Sequence, residues 1–215
     1  MLNSIENLNN LSPEVDYQAL MAHMGHHSHP RRKIQDLQKK GQLIRLKKGF
    51  YVLSKEFIGR QYSPQIVANL LYGPSYISLE YALSAYRLIP ERVELITSVS
   101  TQKNKLFKTP IGNFSYAHLA TSIYPLGITL KKTEDERSYL IASPEKALMD
   151  LFTLRFSNST SPTKNDLQQA LIEDLRINLS EVKQIFRRQM ILDMQPHYKR
   201  RLWNRLLINF LLELL

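Results

Sequence analysis

Four short stretches of this chain carry side chains able to do chemistry or recognition. His23, His26, His27 and His29 lie close together, and two histidines three or four apart on a helix can share a zinc ion. Gly25 separates His23 from the others, and no carboxylate lies close by to complete a ligand set. The run therefore reads as a polar turn with one or two imidazoles near phosphate, and no metal site is expected. Glu145, Lys146 and Asp150 form a second group. A glutamate in a first helical turn is favoured by the helix dipole, and Asp150 could pair with a nearby base. A structural or interaction role is expected for them. Glu181-Val182-Lys183 has the Glu-x-Lys spacing of metal-dependent nucleases, but that site also needs an aspartate on an adjacent strand, and these residues fall in a helical pattern.

The fourth stretch suits recognition rather than reaction. In Ser28-His29-Pro30-Arg31-Arg32-Lys33-Ile34-Gln35-Asp36-Leu37-Gln38-Lys39-Lys40-Gly41, Ser28 or His29 can start a helix. Pro30 suits its first turn, and Gly41 ends it. Ile34 and Leu37 mark the buried side, leaving Arg32, Gln35, Asp36 and Lys39 outward and Arg31 at the leading edge. Arginine can fork onto guanine, glutamine onto adenine, and lysine onto phosphate. Leu43 to Leu46 and Phe50 to Leu53 follow, joined by Lys47-Lys48-Gly49, which is a hairpin signal. Helix, helix, basic helix and basic-tipped hairpin is the order of a winged helix-turn-helix. Arg45, Lys47 and Lys48 would then meet the DNA backbone or minor groove.

Charge placement agrees with that reading. Lys and Arg number 29 against 19 Asp and Glu, a net charge of +10, which favours a polyanionic partner. No lysine or arginine precedes Arg31, whereas Arg31, Arg32, Lys33, Lys39, Lys40, Arg45, Lys47, Lys48, Lys55 and Arg60 are opposed only by Asp36 and Glu56. With no cysteine and only 7 glycines, none clustered, thiol chemistry and phosphate-cradling loops are excluded. No Gly-x-Ser-x-Gly elbow appears. The N-terminus lacks signal-peptide character, and the apolar stretch 206–215 is too short to span a bilayer. No cofactor or membrane partner is expected, and the cytoplasm is the expected compartment.

Other elements must hold these groups. Leu2, Ile5 and Leu8 suggest a first helix, and residues 16–23 a second. Beyond residue 60, Ser63-Pro64 opens a helix to about Tyr72, and residues 76–86 read as another, capped by Ser78 or Ser75. Tyr72, Tyr76, Tyr81 and Tyr86 are expected to pack in a core or interface. Strands are expected at 93–99, 107–111, 114–119 and 139–141. Ser143-Pro144 then opens a well-signalled helix to Phe152. A serine-rich loop at 157–164 leads to helices at 166–175, 179–188 and 197–215. In the last of these, Arg201, Arg205, Asn209 and Glu213 form one polar line. The predicted class is α+β. An N-terminal winged helix-turn-helix over 1–58 precedes a mixed α/β domain over 62–215, helical from about 164.

Four stretches resemble the AbiEi family of antitoxins from type IV toxin–antitoxin systems. They are Leu43-Ile44-Arg45-Leu46-Lys47-Lys48-Gly49-Phe50-Tyr51-Val52, Gly73-Pro74-Ser75-Tyr76-Ile77-Ser78-Leu79-Glu80-Tyr81-Ala82-Leu83, the 107–116 hairpin, and Ile141-Ala142-Ser143-Pro144-Glu145-Lys146-Ala147-Leu148-Met149-Asp150. They occur in the family's order and cover roughly residues 16–155. The resemblance implies a winged helix on double-stranded operator DNA and a C-terminal domain that counters a nucleotidyltransferase-like toxin without a stable complex. It also implies autorepression of the operon, marks Ser78, Pro144, Glu145, Lys146 and Asp150 as characteristic, and assigns them no catalysis. A homodimer is compatible with it. The alternatives are a stand-alone transcriptional regulator and a protein-interaction module.

Overall fold

Sequence patterning already divides the chain near residue 60, and a computed structural model, describing residues 11–25, 27–156 and 161–215, shows how the two parts meet. In the N-terminal unit, Asp16 ends strand β1 (Glu14–Asp16) and caps helix α1 (Tyr17–Met24), its carboxylate accepting from Ala19 N at 2.7 Å. Helix α2 (Pro30–Lys39) starts on Pro30 and stops at Gly41, whose φ of +67° suits glycine. Strands β2 (Leu43–Lys47) and β3 (Phe50–Leu53) turn at Gly49, where φ is +82°. The antiparallel sheet runs β1-β3-β2.

This sheet is apolar on both faces. Leu43, Tyr51 and Leu53 face a small core with Val15, Leu20, Met24, Ile34 and Leu37. Leu46, Phe50 and Val52, with Ile44 beside them, face the opposite way into the main core of the molecule, which also holds Val67, Ala68 and Leu71. Strand period places alternate residues on opposite faces, so the hairpin joins the two units instead of hanging free.

After α3 (Lys55–Ile58), Ser63 caps α4 (Pro64–Leu71), accepting from Ile66 N at 3.3 Å. The C-terminal unit then forms β4 (Ser75–Ile77), α5 (Leu79–Ala85), β5 (Ile96–Ser100), β6 (Lys105–Thr109), β7 (Gly112–His118), β8 (Ile128–Lys132) and β9 (Ser138–Ala142). Their mixed sheet runs β6-β7-β5-β4-β9-β8, with β4·β9 and β5·β7 parallel. Helix α6 (Pro144–Arg155) is capped by Ser143 and buries every residue from Glu145 to Thr153. A helix buried all round sits in the middle of a core. Around it lie α7 (Lys164–Gln168), which continues as a π-helical turn over Gln169–Asp174, then α8 (Leu179–Ile185), α9 (Arg188–Tyr198) and α10 (Leu202–Leu214).

Several elements differ from the sequence expectation. Residues Ser75–Ile77 form a central strand, and the helix starts only at Leu79, whose φ is +60°. Pairing with β5 and β9 overrides the helical pattern there. Ser78 sits at the helix start but makes no side-chain cap bond. Strands β1 and β8 were not expected, because each is short and polar in part. The helix expected over 197–215 is two helices. Pro196 lies inside the last turn of α9, which buries Ile191, Met194 and Tyr198 along one stripe. In α10 the line Arg201, Arg205, Asn209, Glu213 faces solvent as expected. The helix read from Leu2, Ile5 and Leu8, together with His26 and residues 157–160, lies outside the described residues. Among the described residues, no helix is long and apolar enough to cross a membrane.

Candidate nucleic-acid interface

Helix α2 is seated by two side chains, Ile34 at 4% and Leu37 at 3% exposure. Around its other side Arg31, Arg32, Gln35, Lys39 and Lys40 are exposed, and Asp36 is half-buried. The structure thus gathers Arg31, Arg32, Gln35 and Lys39 on one convex, solvated helix face. None of them is used to hold the fold in place by a salt bridge among the described residues. Such a face can present guanidinium forks and an amide to base edges, and ammonium groups to phosphates.

The hairpin divides the expected wing residues. Arg45 and Lys48 are exposed. Lys47 instead turns back onto the C-terminal unit, where Nζ donates to the Leu71 carbonyl and lies 6.0 Å from the centre of the Phe50 ring. Burial lowers its pKa. The strand register shifts between Arg45 and Lys47, and the two adjacent lysines point to different places.

His23 Nδ1 lies 3.0 Å from the Ala19 carbonyl within its own helix, and His29 is exposed at the start of α2. Among the described residues no three His, Asp or Glu side chains gather as a metal site. Glu181 and Lys183 stand on α8 with Val182 buried between them.

Ser78, Lys146 and Asp150 come together in the interior, and Glu145 is buried at a separate point of α6, each at 0% exposure. Lys146 Nζ lies 2.8 Å from Asp150 Oδ1, donates to the Ile123 carbonyl at 2.7 Å, and also donates to Tyr198 Oη. Asp150 Oδ2 accepts from Ser78 Oγ at 2.9 Å and from Tyr76 Oη at 3.0 Å. Burial pushes the Lys146 ammonium pKa down, and the Asp150 carboxylate opposes that. Burial first, then the Asp150 charge, pushes the Tyr76 and Tyr198 phenols well above their ordinary range. Gly127, at φ +63°, closes the cluster from one side, since a Cβ there would meet Lys146 Cβ and Met194 Sδ at 3.0 Å each. Glu145 Oε1 accepts from Arg187 N at 2.7 Å and so anchors the start of α9. Pro144 opens α6 as the sequence predicts. A group sealed this way ties α6 to β4, to α9 and to the Ile123 carbonyl.

The tyrosines expected to pack do so with their hydroxyls paired. Tyr81 Oη accepts from Gln65 at 2.7 Å, Tyr86 donates to the Ala142 carbonyl at 2.9 Å, and Tyr72 to the Lys103 carbonyl at 3.1 Å. Sequence reasoning missed Tyr198, Glu14 and Arg137. Tyr198 lies two residues after Pro196 in a polar stretch, and nothing in the local sequence ties Arg137 to Glu14. Compared with models of known protein families and with curated proteins, the chain matches none.

Proposed function

We propose that this protein is a DNA-binding antitoxin that represses its own type IV toxin–antitoxin operon and counters a nucleotidyltransferase-like toxin. In this reading the N-terminal unit is a winged helix-turn-helix, with α1 as the supporting helix, α2 in the major groove and the β2–β3 hairpin as the wing. The observation that carries it is the outward face of α2, where Arg31, Arg32, Gln35 and Lys39 are exposed opposite the buried pair Ile34 and Leu37. Arg45 and Lys48 supply backbone contacts. The antitoxin part rests on the AbiEi resemblance, whose residues Glu145, Lys146 and Asp150 act as a scaffold and not as catalysts. A two-fold homodimer on a pseudo-palindromic operator suits a reading helix of this kind.

The test is binding to the promoter region of the chain's own operon, followed by fluorescence anisotropy over a salt series. Preference for that DNA over random duplex, lost with Arg31→Ala/Arg32→Ala, supports the reading. Equal binding to every duplex would instead support a basic interaction module. The antitoxin part is tested by co-expression with the adjacent toxin gene. Failure of the full chain to restore growth would remove that part and leave the DNA reading standing.

A further inference from the structure

Glu14 is a carboxylate with a side chain fully enclosed by protein, yet it belongs to the edge strand β1. Its Oε1 accepts from Ser63 N at 2.6 Å, and its Oε2 accepts from Ser12 Oγ at 2.8 Å and from Arg137 Nη1. Arg137 stands in the turn between β8 and β9 of the C-terminal unit. Its Nε donates to Asp135 Oδ2 at 2.6 Å and its Nη2 to the Gln61 carbonyl at 3.2 Å. One guanidinium thus ties three segments: β1 of the N-terminal unit, the connection at Gln61–Ser63, and the β8–β9 turn. Burial disfavours its charge, but the bonds and charges of Glu14 and Asp135 outweigh that and raise its pKa.

A second tie lies elsewhere. Leu46, Phe50 and Val52 belong to the same apolar core as Val67, Ala68 and Leu71. An apolar seam is non-directional, so it holds the units together without fixing their angle. A planar guanidinium with several bonds of set direction does fix one.

We infer that Arg137 is a positioning residue for DNA binding: with Glu14 it sets the attitude of the α2-bearing unit on the C-terminal unit. The inference rests on the proposed DNA reading for its consequence, but not for its geometry. Arg137 makes these bonds from the β8–β9 turn of the C-terminal unit. A cleft of about 630 Å³ borders that turn, lined in part by Arg60, Tyr62, Lys132, Arg137 and Tyr139.

The chain has no cysteine, which permits a direct test. Spin labels at Lys40→Cys on the N-terminal unit and Lys183→Cys on α8 are exposed on opposite sides of the junction. In the otherwise unchanged chain their distance distribution is expected to be narrow. It should broaden or shift in Arg137→Ala and in Glu14→Gln, and partly so in Arg137→Lys, which keeps the charge but loses the fork. Operator affinity should fall several-fold in the same variants while the slope of log K against log salt stays unchanged, because no phosphate contact is lost. A distribution unmoved in all three folded variants would overturn the inference, and so would a slope lowered by about one, the mark of a phosphate-binding arginine. If the unaltered chain binds no duplex, the DNA reading fails, and the label distances alone decide the clamp.

Discussion

Tyr198 Oη donates to Asp150 Oδ1 at 2.7 Å while it accepts a bond from Lys146. That phenol is the bridge of a buried chain running from ammonium to carboxylate, contributed by α9 and α6. The arrangement is asymmetric. Asp150 has three hydroxyl donors besides the lysine, whereas Lys146 has one carbonyl and one phenol besides the aspartate.

Removing the carboxylate should therefore cost more than removing the ammonium. Asp150→Asn leaves a buried cation without its counter-charge, and such breaks cost about 3–5 kcal/mol. Lys146→Met leaves the carboxylate solvated by Tyr76, Tyr198 and Ser78 and should cost roughly 2 kcal/mol less than that. Urea unfolding of both variants checks the order. Equal losses would mean that the hydroxyls do not sustain the anion.

The hairpin lysines should separate cleanly. Lys48→Ala should lower the salt slope of DNA binding by about 0.9 and leave stability alone. Lys47→Ala should leave the slope unchanged and lose about 1 kcal/mol of stability, because the Leu71 carbonyl loses its donor. A lowered slope for Lys47→Ala would show that its side chain swings out to the duplex.

Alkaline pH should unfold the chain steeply. Tyr76, Tyr116 and Tyr198 are pushed far above the ordinary range, chiefly by burial, and Tyr86 and Tyr139 are pushed up to about 12. A phenol whose folded pKa is raised contributes stability that is intact below the unfolded value near 10 and lost as pH rises towards the folded one. Lys47, Lys131 and Lys146 act in the opposite sense, since a lowered lysine pKa adds stability as pH rises through its folded value to 10.5, but they are three groups against five, and the largest shifts belong to the phenols. Phenolate absorbance should show these tyrosines, among 11 in the chain, silent until circular dichroism collapses. Smooth ionisation of all of them at pH 10 in folded protein would contradict the burial.

Gly127→Ala should be disproportionately harmful for a single methyl. The position combines φ +63° with contacts of 3.0 Å to Lys146 and Met194. Strain and overpacking together are worth about 2–4 kcal/mol, and thermal unfolding measures the loss. A change under about 0.5 kcal/mol would mean that α9 gives way freely, which its bond to Glu145 opposes.

Helix α2 was legible because its information is local: Ile34 and Leu37 phase it, and Pro30 and Gly41 bound it. The same holds for α6 after Ser143-Pro144. Strand β4 was not legible, since Ser75–Ile77 is extended only because β5 and β9 flank it. The direction of Lys47 was hidden as well, because its bonding partner is a carbonyl 24 residues away. Asp150 and Lys146 could be flagged by their spacing on one helix, but Tyr198 and Tyr76 reach them from remote segments. The pairing of Glu14 with Arg137 spans 123 residues and leaves no local trace in either segment.

The two-sided β2–β3 hairpin also sets an order of events during synthesis. When Leu53 has left the ribosome, Leu43, Tyr51 and Leu53 can already find Leu20 and Leu37, but Phe50 and Val52 still face water. They stay uncovered until the main core to which they belong has emerged, residues 64–71 first. A fragment ending near residue 60 would carry that greasy flank permanently and stick to its neighbours. Transplanting α2 and its hairpin onto another protein would thus require a new apolar cover for Phe50 and Val52.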